Sequence, residues 1–515
     1  MNLFENQKVR KKKIELRDYQ SKITDDILKA REHGFSRIMV ASPTGSGKTV
    51  IFSSYASDLS KLNRKVMVVT HRVELLTQTS GTFSNFNIHA EILNTDTKII
   101  PHGGDVVVSM IETLYRRLEN KEGYIEFLNS FDTIILDEAH TGQFDKLFQH
   151  LTEIPLVLGF SATPYRRNPQ TPLSAFYDHL IIGPSVKDLI KKGFLSKSLV
   201  FGQRVDLSAV GFRSGEYKPE DIESSFEAQG LFDTVVDNYV KYTKGKKTLL
   251  FTPTVSASIE ITDRFRKAGI AAAHVDAETP KELRRKIFHQ FHTGDIEILS
   301  NQGIAGIGFD EPEIEIVLLF RATTSLTLYL QMIGRGSRIT ENKSTFIVLD
   351  YGNNTSRFGF YEDDHEWSLE NDTTNFKKES TMTKSCPNCN RMVPIGTVTC
   401  PTCGYVWVKQ RREEMKEAIQ VELVALNGFD VMEYALGKSF EELSIIQEIK
   451  GYKRGWIQHQ ITSLEDLKAY GDFMKYKPGW FYHAKENFNP KTIEEKRKEY
   501  EEYIAQKNSQ GGYGQ

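Results

Sequence analysis

Short, mostly apolar runs separated by amphipathic or polar stretches recur along much of the chain. RIMVASP, VMVVTH, DVVVSM, TIILDEAH and PLVLGFSATP follow one another from Arg37, and each is succeeded by a polar or helical stretch. Runs this short, with little strict alternation, suit strands covered on both faces, and their regular interruption by helical patterns predicts a parallel sheet with crossover helices. A second series, KTLLFTP, AAAHVD, IEILSN, IEIVLLF and STFIVLD, follows from about Leu231. The pattern therefore predicts an α/β chain with two parallel-sheet domains in tandem, over 1–200 and 231–365. The stretch 201–230, with VGFRSGEYKPEDIESS and no sustained periodicity, reads as the connection between them.

After Asp350 the pattern breaks into YEDDHEWSLENDTTNFKKES. A linker is expected at 366–380, a small cysteine-bearing element at 381–408 and a charged, mostly helical region at 409–505. The Gly- and Gln-rich end, 506–515, is expected to be disordered. A length of 515 residues exceeds what one hydrophobic core serves, which agrees with several domains. With 66 Lys+Arg against 68 Asp+Glu the net charge is −2, so any phosphate-binding surface must be local. The basic cluster Arg10 to Lys13 has no apolar stretch behind it, which excludes a secretory signal, and no segment reaches the ~18 apolar residues of a membrane span. A cytoplasmic protein of a bacterial or phage-infected cell is expected.

Candidate chemistry is concentrated at the ends of the apolar runs. Ser42-Pro-Thr-Gly-Ser-Gly-Lys-Thr49 lies between the strand RIMVA and a helix beginning near Val50. In such a loop Thr44, Gly45, Ser46 and Gly47 let backbone N–H groups wrap phosphates. Lys48 would reach the β- and γ-phosphates and Thr49 would bind Mg2+. Ser42 stands where the general pattern has a first glycine. Asp137 and Glu138 follow TIIL at a strand's carboxyl end, where open α/β sheets bind ligands. Asp137 is placed to hold Mg2+ and Glu138 to orient and deprotonate the attacking water, so the pair and the loop together predict an ATPase.

From Leu16 to about Gly352 the chain resembles the superfamily 2 helicase core, which implies two RecA-like domains. Leu16-Arg17-Asp18-Tyr19-Gln20 looks like the adenine-recognition motif, with Gln20 reading the base edge and Arg17 nearby. Ser161-Ala162-Thr163 and the His140 of DEAH resemble the elements that couple the ATP site to the nucleic-acid path. The resemblance implies nucleic-acid contacts at His71, Arg72, Ser109, Thr113, Thr252, Thr254 and Asn301. It implies further nucleotide contacts at Gly308 and Asp310. Gln331-Met-Ile-Gly-Arg-Gly-Ser-Arg338 resembles the motif in which Gln331 assists and Arg335 and Arg338 neutralise γ-phosphate charge.

The four cysteines form Cys386-Pro-Asn-Cys389 and Cys400-Pro-Thr-Cys403, a spacing that fits one tetrahedral, structural Zn2+. A zinc ribbon after a superfamily 2 core narrows the resemblance to RadD-type DNA repair helicases, with more distant XPB-like and phage recombination relatives. Single-stranded, forked or branched DNA is the implied partner, and a single-strand-binding protein or recombinase is a candidate protein partner. An RNA helicase, the motor subunit of a restriction or defence system, and a nucleotide-gated scaffold remain open alternatives. Tyr452-Lys-Arg-Gly-Trp456-Ile-Gln-His459 recurs as Tyr476-Lys-Pro-Gly-Trp480-Phe-Tyr-His483. The repeat reads as turns packing tryptophan into a small core, or as an accessory DNA-binding element. The run Glu494 to Glu502 reads as a solvated helix face.

Overall fold

The structure, a computed structural model, describes residues 15–71, most of 79–370, then 382–407 and parts of 415–502; 72–78, 102–105 and 304–310 are among those left out. Arg72, Gly308, Asp310, the Arg10 to Lys13 cluster and 506–515 thus lie outside the described residues, as does most of the predicted linker. The chain divides into two compact units, 1–395 and 396–515.

The first unit contains two parallel sheets. One is built from β1 (Arg37–Ala41), β2 (Val66–Thr70), β3 (Ala90–Leu93), β4 (Val106–Met110), β5 (Thr133–Asp137), β6 (Leu156–Ser161) and β7 (His179–Ile182). Their order is β3-β4-β2-β5-β6-β1-β7, every pairing parallel. The other comprises β8 (Lys197–Gly202), β11 (Thr248–Phe251), β12 (Ala272–Val275), β13 (Ile298–Asn301), β14 (Ile316–Leu319) and β15 (Thr345–Asp350), in the order β12-β13-β11-β14-β15-β8. A short antiparallel hairpin, β9 (Phe212–Arg213) and β10 (Glu216–Tyr217), lies between β8 and β11. Central strands such as β2, β5 and β14 are buried along their whole length, as the continuous apolar runs require.

Three of the sheet strands, β3, β7 and β8, are absent from the sequence reading, and all three are edge strands. AEIL and HLII are only partly buried, so their hydrophobic signal is diluted by residues facing solvent. β8 begins before the expected end of the first domain but pairs with β15 of the second sheet. The stretch read as a connection contributes Val210, Ile222 and Phe226 to the same core as Leu250 and Leu318. Leu369, within the polar run read as linker, packs against the first-domain core, and its carbonyl accepts the Ser174 N–H at 3.0 Å.

In the second unit, the helices Phe440–Lys450 and Leu464–Phe473 surround a small core of Leu443, Ile446, Leu467 and Tyr470. Each repeated tryptophan packs on its own tyrosine, Tyr452 stacked on Trp456 at 4.8 Å and Tyr476 tilted against Trp480 at 4.6 Å between ring centroids. Both tryptophans pack against that core. Among the described residues no helix is long and apolar enough to cross a membrane.

Candidate nucleotide site and its partner surfaces

The loop 42–47 leaves the carboxyl end of β1 and runs into the helix Lys48–Lys61. Gly45 and Gly47 have φ of +83° and +82°, backbone conformations that a side chain would strain. The loop is braced from inside: Ser42 Oγ lies 2.7 Å from Ser46 Oγ, and Ser46 Oγ donates to the Pro43 carbonyl at 2.7 Å. Tyr19 Oη and Gln20 Nε2 both donate to the Ser46 carbonyl, at 2.6 and 3.0 Å. Gln20 also accepts the Arg17 N–H through Oε1 at 3.0 Å, so both ends of its amide hold the protein's own backbone. Arg17 lies over the Phe194 ring at 4.3 Å. Lys48 Nζ rests 3.4 Å from the Ser42 carbonyl, folded back across the loop.

The acids sit at the end of β5. Asp137 is buried and its Oδ1 accepts the Glu138 N–H at 3.0 Å. Glu138 occupies the left-handed region, with φ of +52°, a conformation costing about 1–3 kcal/mol that the surrounding structure must enforce. Its Oε2 lies 3.4 Å from His140 Nδ1. His140 Nδ1 is in turn 2.8 Å from Ser161 Oγ, which accepts the Thr163 N–H at 3.0 Å. The expected coupling residues His140, Ser161 and Thr163 thus form one continuous network beginning at Glu138.

Sequence reasoning missed Arg166, which is buried and fastens this network's outer side. It donates to the carbonyls of His140 and Thr141 at 2.9 and 3.1 Å, and approaches the Asp145 carboxylate at 2.7 Å. The arginine pair after SATPY, Arg166 and Arg167, carries no spacing signal that would have exposed this role.

The second sheet supplies the opposing wall. Gln331 lies on the helix Leu326–Ile333, and its Nε2 donates to Glu138 Oε2 at 3.4 Å. Gly334 touches the phosphate loop so closely that a Cβ there would lie 2.7 Å from Thr44 Cβ. Ser337 faces Gly45, where an added Cβ would be 3.2 Å from Ser337 Oγ. Tyr361 donates to the Thr44 carbonyl at 3.3 Å, and burial pushes its phenol up to about 12, so it stays a neutral donor near neutral pH. Arg335 is almost fully buried in this wall and Arg338 is half-buried.

The residues expected to contact nucleic acid are placed differently. Ser109, Thr113, Thr252 and Asn301 are all buried. Asn301 Nδ2 donates to the Leu250 carbonyl at 2.7 Å, and Thr252 Oγ1 lies within 3.2 Å of the Thr254 and Asn301 carbonyls. Thr254 caps the helix Val255–Lys267 by accepting the Ala257 N–H at 3.0 Å. His71 is edge-on to Phe144, with ring centroids 6.3 Å apart.

The ligand atoms of Cys386, Cys389, Cys400 and Cys403 lie within 4.8 Å of one another. Each pair sits in the same kind of turn. Asn390 and Gly404, which follow the second cysteine of each, have φ of +57° and +74°, and their N–H groups donate back to Cys386 and Cys400 at 2.8 and 2.9 Å. Tetrahedral Zn–S bonds of about 2.3 Å put sulfurs about 3.8 Å apart, so the four thiols need only a small contraction to hold zinc.

Residues 13–166 match the family described as "Type III restriction enzyme, res subunit", residues 231–340 match "Helicase conserved C-terminal domain", and residues 384–409 match "Uncharacterised protein family UPF0547". The chain is 29% identical over 395 residues to a 51.5 kDa protein of a Lactococcus phage, covering 75% of this chain and 82% of that protein. It is 31% identical over 361 residues to a Saccharomyces cerevisiae protein provisionally named ATP-dependent helicase IRC3, covering 65% of this chain but only 51% of the yeast protein. Its fold resembles a fragment from Vibrio vulnificus YJ016 provisionally assigned as the HsdR subunit of a type I restriction enzyme. That match has a TM-score of 0.54 at 20% identity and covers 67% of this chain and 65% of the fragment.

Proposed function

We propose that the chain is a superfamily 2 helicase related to restriction-enzyme and helicase subunits, a DNA-dependent ATPase that translocates on or remodels DNA and is most like RadD-type repair helicases. One observation carries the reading. The Glu138 carboxylate meets Gln331 at 3.4 Å, and Thr44 of the loop abuts Gly334, so the acids and the arginine-bearing turn come together at one junction between the two sheets.

In this reading Lys48 swings from Ser42 to the β- and γ-phosphates, and Thr49 and Asp137 hold Mg2+. Glu138 orients and deprotonates water, while Arg335 and Arg338 neutralise charge developing on the transferred phosphoryl group. Because the acids and the arginines belong to different sheets, hydrolysis requires the cleft to be closed. Nucleic acid held across both domains is then gripped and released with each cycle. The four cysteines hold a structural zinc, since four protein thiolates leave no open position for water. Relationship to restriction enzymes, which act on DNA, supports DNA over RNA, and a thiolate site suits the reducing cytoplasm.

The test is ATPase turnover without nucleic acid and with single-stranded, duplex, forked and RNA substrates, using Lys48→Ala as the inactive control. Stimulation by DNA and not RNA is expected, with one zinc per chain by elemental analysis. Stimulation by RNA alone, or indifference to all nucleic acids, overturns the reading.

A further inference from the structure

Lys343 follows the arginine-bearing turn and is buried, yet it belongs to no motif that the chain's sequence advertises. Its ammonium donates to three main-chain carbonyls: Pro312 at 2.6 Å, Ile314 at 2.7 Å and Gly336 at 3.1 Å. Gly336 lies between Arg335 and Arg338. Pro312 and Ile314 belong to the segment leading from 304–310 into β14. One side chain therefore ties the arginine turn to the end of the stretch expected to sense nucleotide and nucleic acid.

The segment at the far end of this tie is itself fixed. Lys247 Nζ lies 2.9 Å from Glu313 and 3.5 Å from the buried Glu311, and His292 Nδ1 is 2.8 Å from Glu311. The carboxylates at 311 and 313 are thus held through side chains, and the carbonyls at 312 and 314 through Lys343. The turn is also anchored behind: the Ser196 N–H donates to the Ser337 carbonyl at 2.7 Å, and Ser196 Oγ to the Arg338 carbonyl at 3.1 Å. A rigid anchor of this kind matters because misplacing a reacting group by about 1 Å can cost about 10²-fold in rate.

We propose that Lys343 is the positioning residue of the arginine turn, setting the reach of Arg335 and Arg338 towards the γ-phosphate according to the placement of the segment 311–314. The assignment rests on the ATPase reading above. Burial lowers the Lys343 ammonium to about 8, with Arg338 adding to the shift and Glu315, Glu311 and Glu313 opposing it. Below that pH three N–H donors meet three carbonyls. Above it the neutral amine has one donor fewer, and a lone pair faces a carbonyl.

The experiment compares DNA-stimulated ATPase in the full-length wild type, Lys343→Met, Lys343→Arg, Arg338→Ala and the Lys343→Met/Arg338→Ala double variant. Lys343→Met is expected to lose about 10²-fold in kcat with little change in the KM for ATP, and the double variant to lose clearly less than the product of the two single losses, because only Arg335 is then left to misplace. Lys343→Arg, which stays charged, should keep most of the activity and lose the wild type's decline in kcat above about pH 8. Multiplicative losses in the double variant, or a wild-type kcat in Lys343→Met, overturn the assignment while leaving the ATPase reading intact. A wild type without nucleic-acid-stimulated ATPase removes both. Should Lys343→Met fail to fold, the pH profile of Lys343→Arg decides alone, and an unchanged alkaline decline overturns the proposal.

Discussion

Two groups of polar residues in this molecule are used in opposite ways. Around the loop 42–47, Lys48 lies folded back over the Ser42 carbonyl, and Glu138, with a left-handed backbone, meets Gln331 across the two sheets at 3.4 Å. At the ends of β4, β11 and β13, Ser109, Thr252 and Asn301 are buried, and the last two direct their polar atoms at neighbouring carbonyls. In the proposed ATPase the first group supplies chemistry through side chains. The second shapes loops, so that contact with a nucleic-acid backbone would fall to the loops' main-chain groups.

The strongest way to break this contrast is at the cleft. Arg335→Ala and Arg338→Ala should each reduce DNA-stimulated kcat by about 10³-fold or more, as arginine fingers do, while ATP still binds to the first domain. A loss in nucleotide affinity with kcat preserved would instead make the arginines binding residues. Glu138→Gln should lower kcat by about 10²-fold or more with ATP affinity retained, measured with a fluorescent nucleotide. Because Gln331 donates to this carboxylate at 3.4 Å, a glutamine at 138 can keep the contact through its carbonyl oxygen while losing the base.

A smaller effect is expected from the contact that brings the domains together. Gly334→Val would place a branched side chain where even a Cβ lies 2.7 Å from Thr44, forcing the arginine turn away from the loop. A drop in kcat of about tenfold or more is expected; because the new side chain also crowds the Leu330 carbonyl, 2.9 Å from the Cβ position, some loss of stability accompanies it. Full activity in this variant would show that the closed contact is dispensable for hydrolysis.

How much of this was legible beforehand follows from the same contrast. The central strands were readable because burial on both faces leaves uninterrupted apolar runs such as VMVV and IVLL. The phosphate loop and DEAH were readable because backbone N–H groups and metal ligands restrict residue type at fixed spacing. β3, β7 and β8 were not, because half-exposed positions interrupt their apolar runs, whereas the edge strand β12 is buried at three of its four positions and was readable. Arg166, Tyr361 and Lys343 were invisible for a different reason. Each donates to backbone carbonyls contributed by distant chain, at His140, Thr44 and Pro312, and a carbonyl leaves no mark on the sequence. The four cysteines were readable as a group, and their convergence needed only two similar turns, closed by Asn390 and Gly404.

The smallest expected effect is also the one that separates the two groups most cleanly. Asn301 is fully buried and its amide donates to the Leu250 carbonyl at 2.7 Å, bracing β13 against β11. Replacing it with alanine leaves a buried acceptor short of a donor, which costs about 1–3 kcal/mol. If the side chain serves the loop, Asn301→Ala lowers the melting temperature, while affinity for single-stranded DNA at fixed salt changes by less than about twofold. If the side chain turned outward to a phosphate in the complex, the free protein would still lose its bond to Leu250 and melt lower, but affinity would fall as well. Thermal melting and DNA titration of the same variant therefore distinguish a polar residue that builds the loop from one that grips the strand.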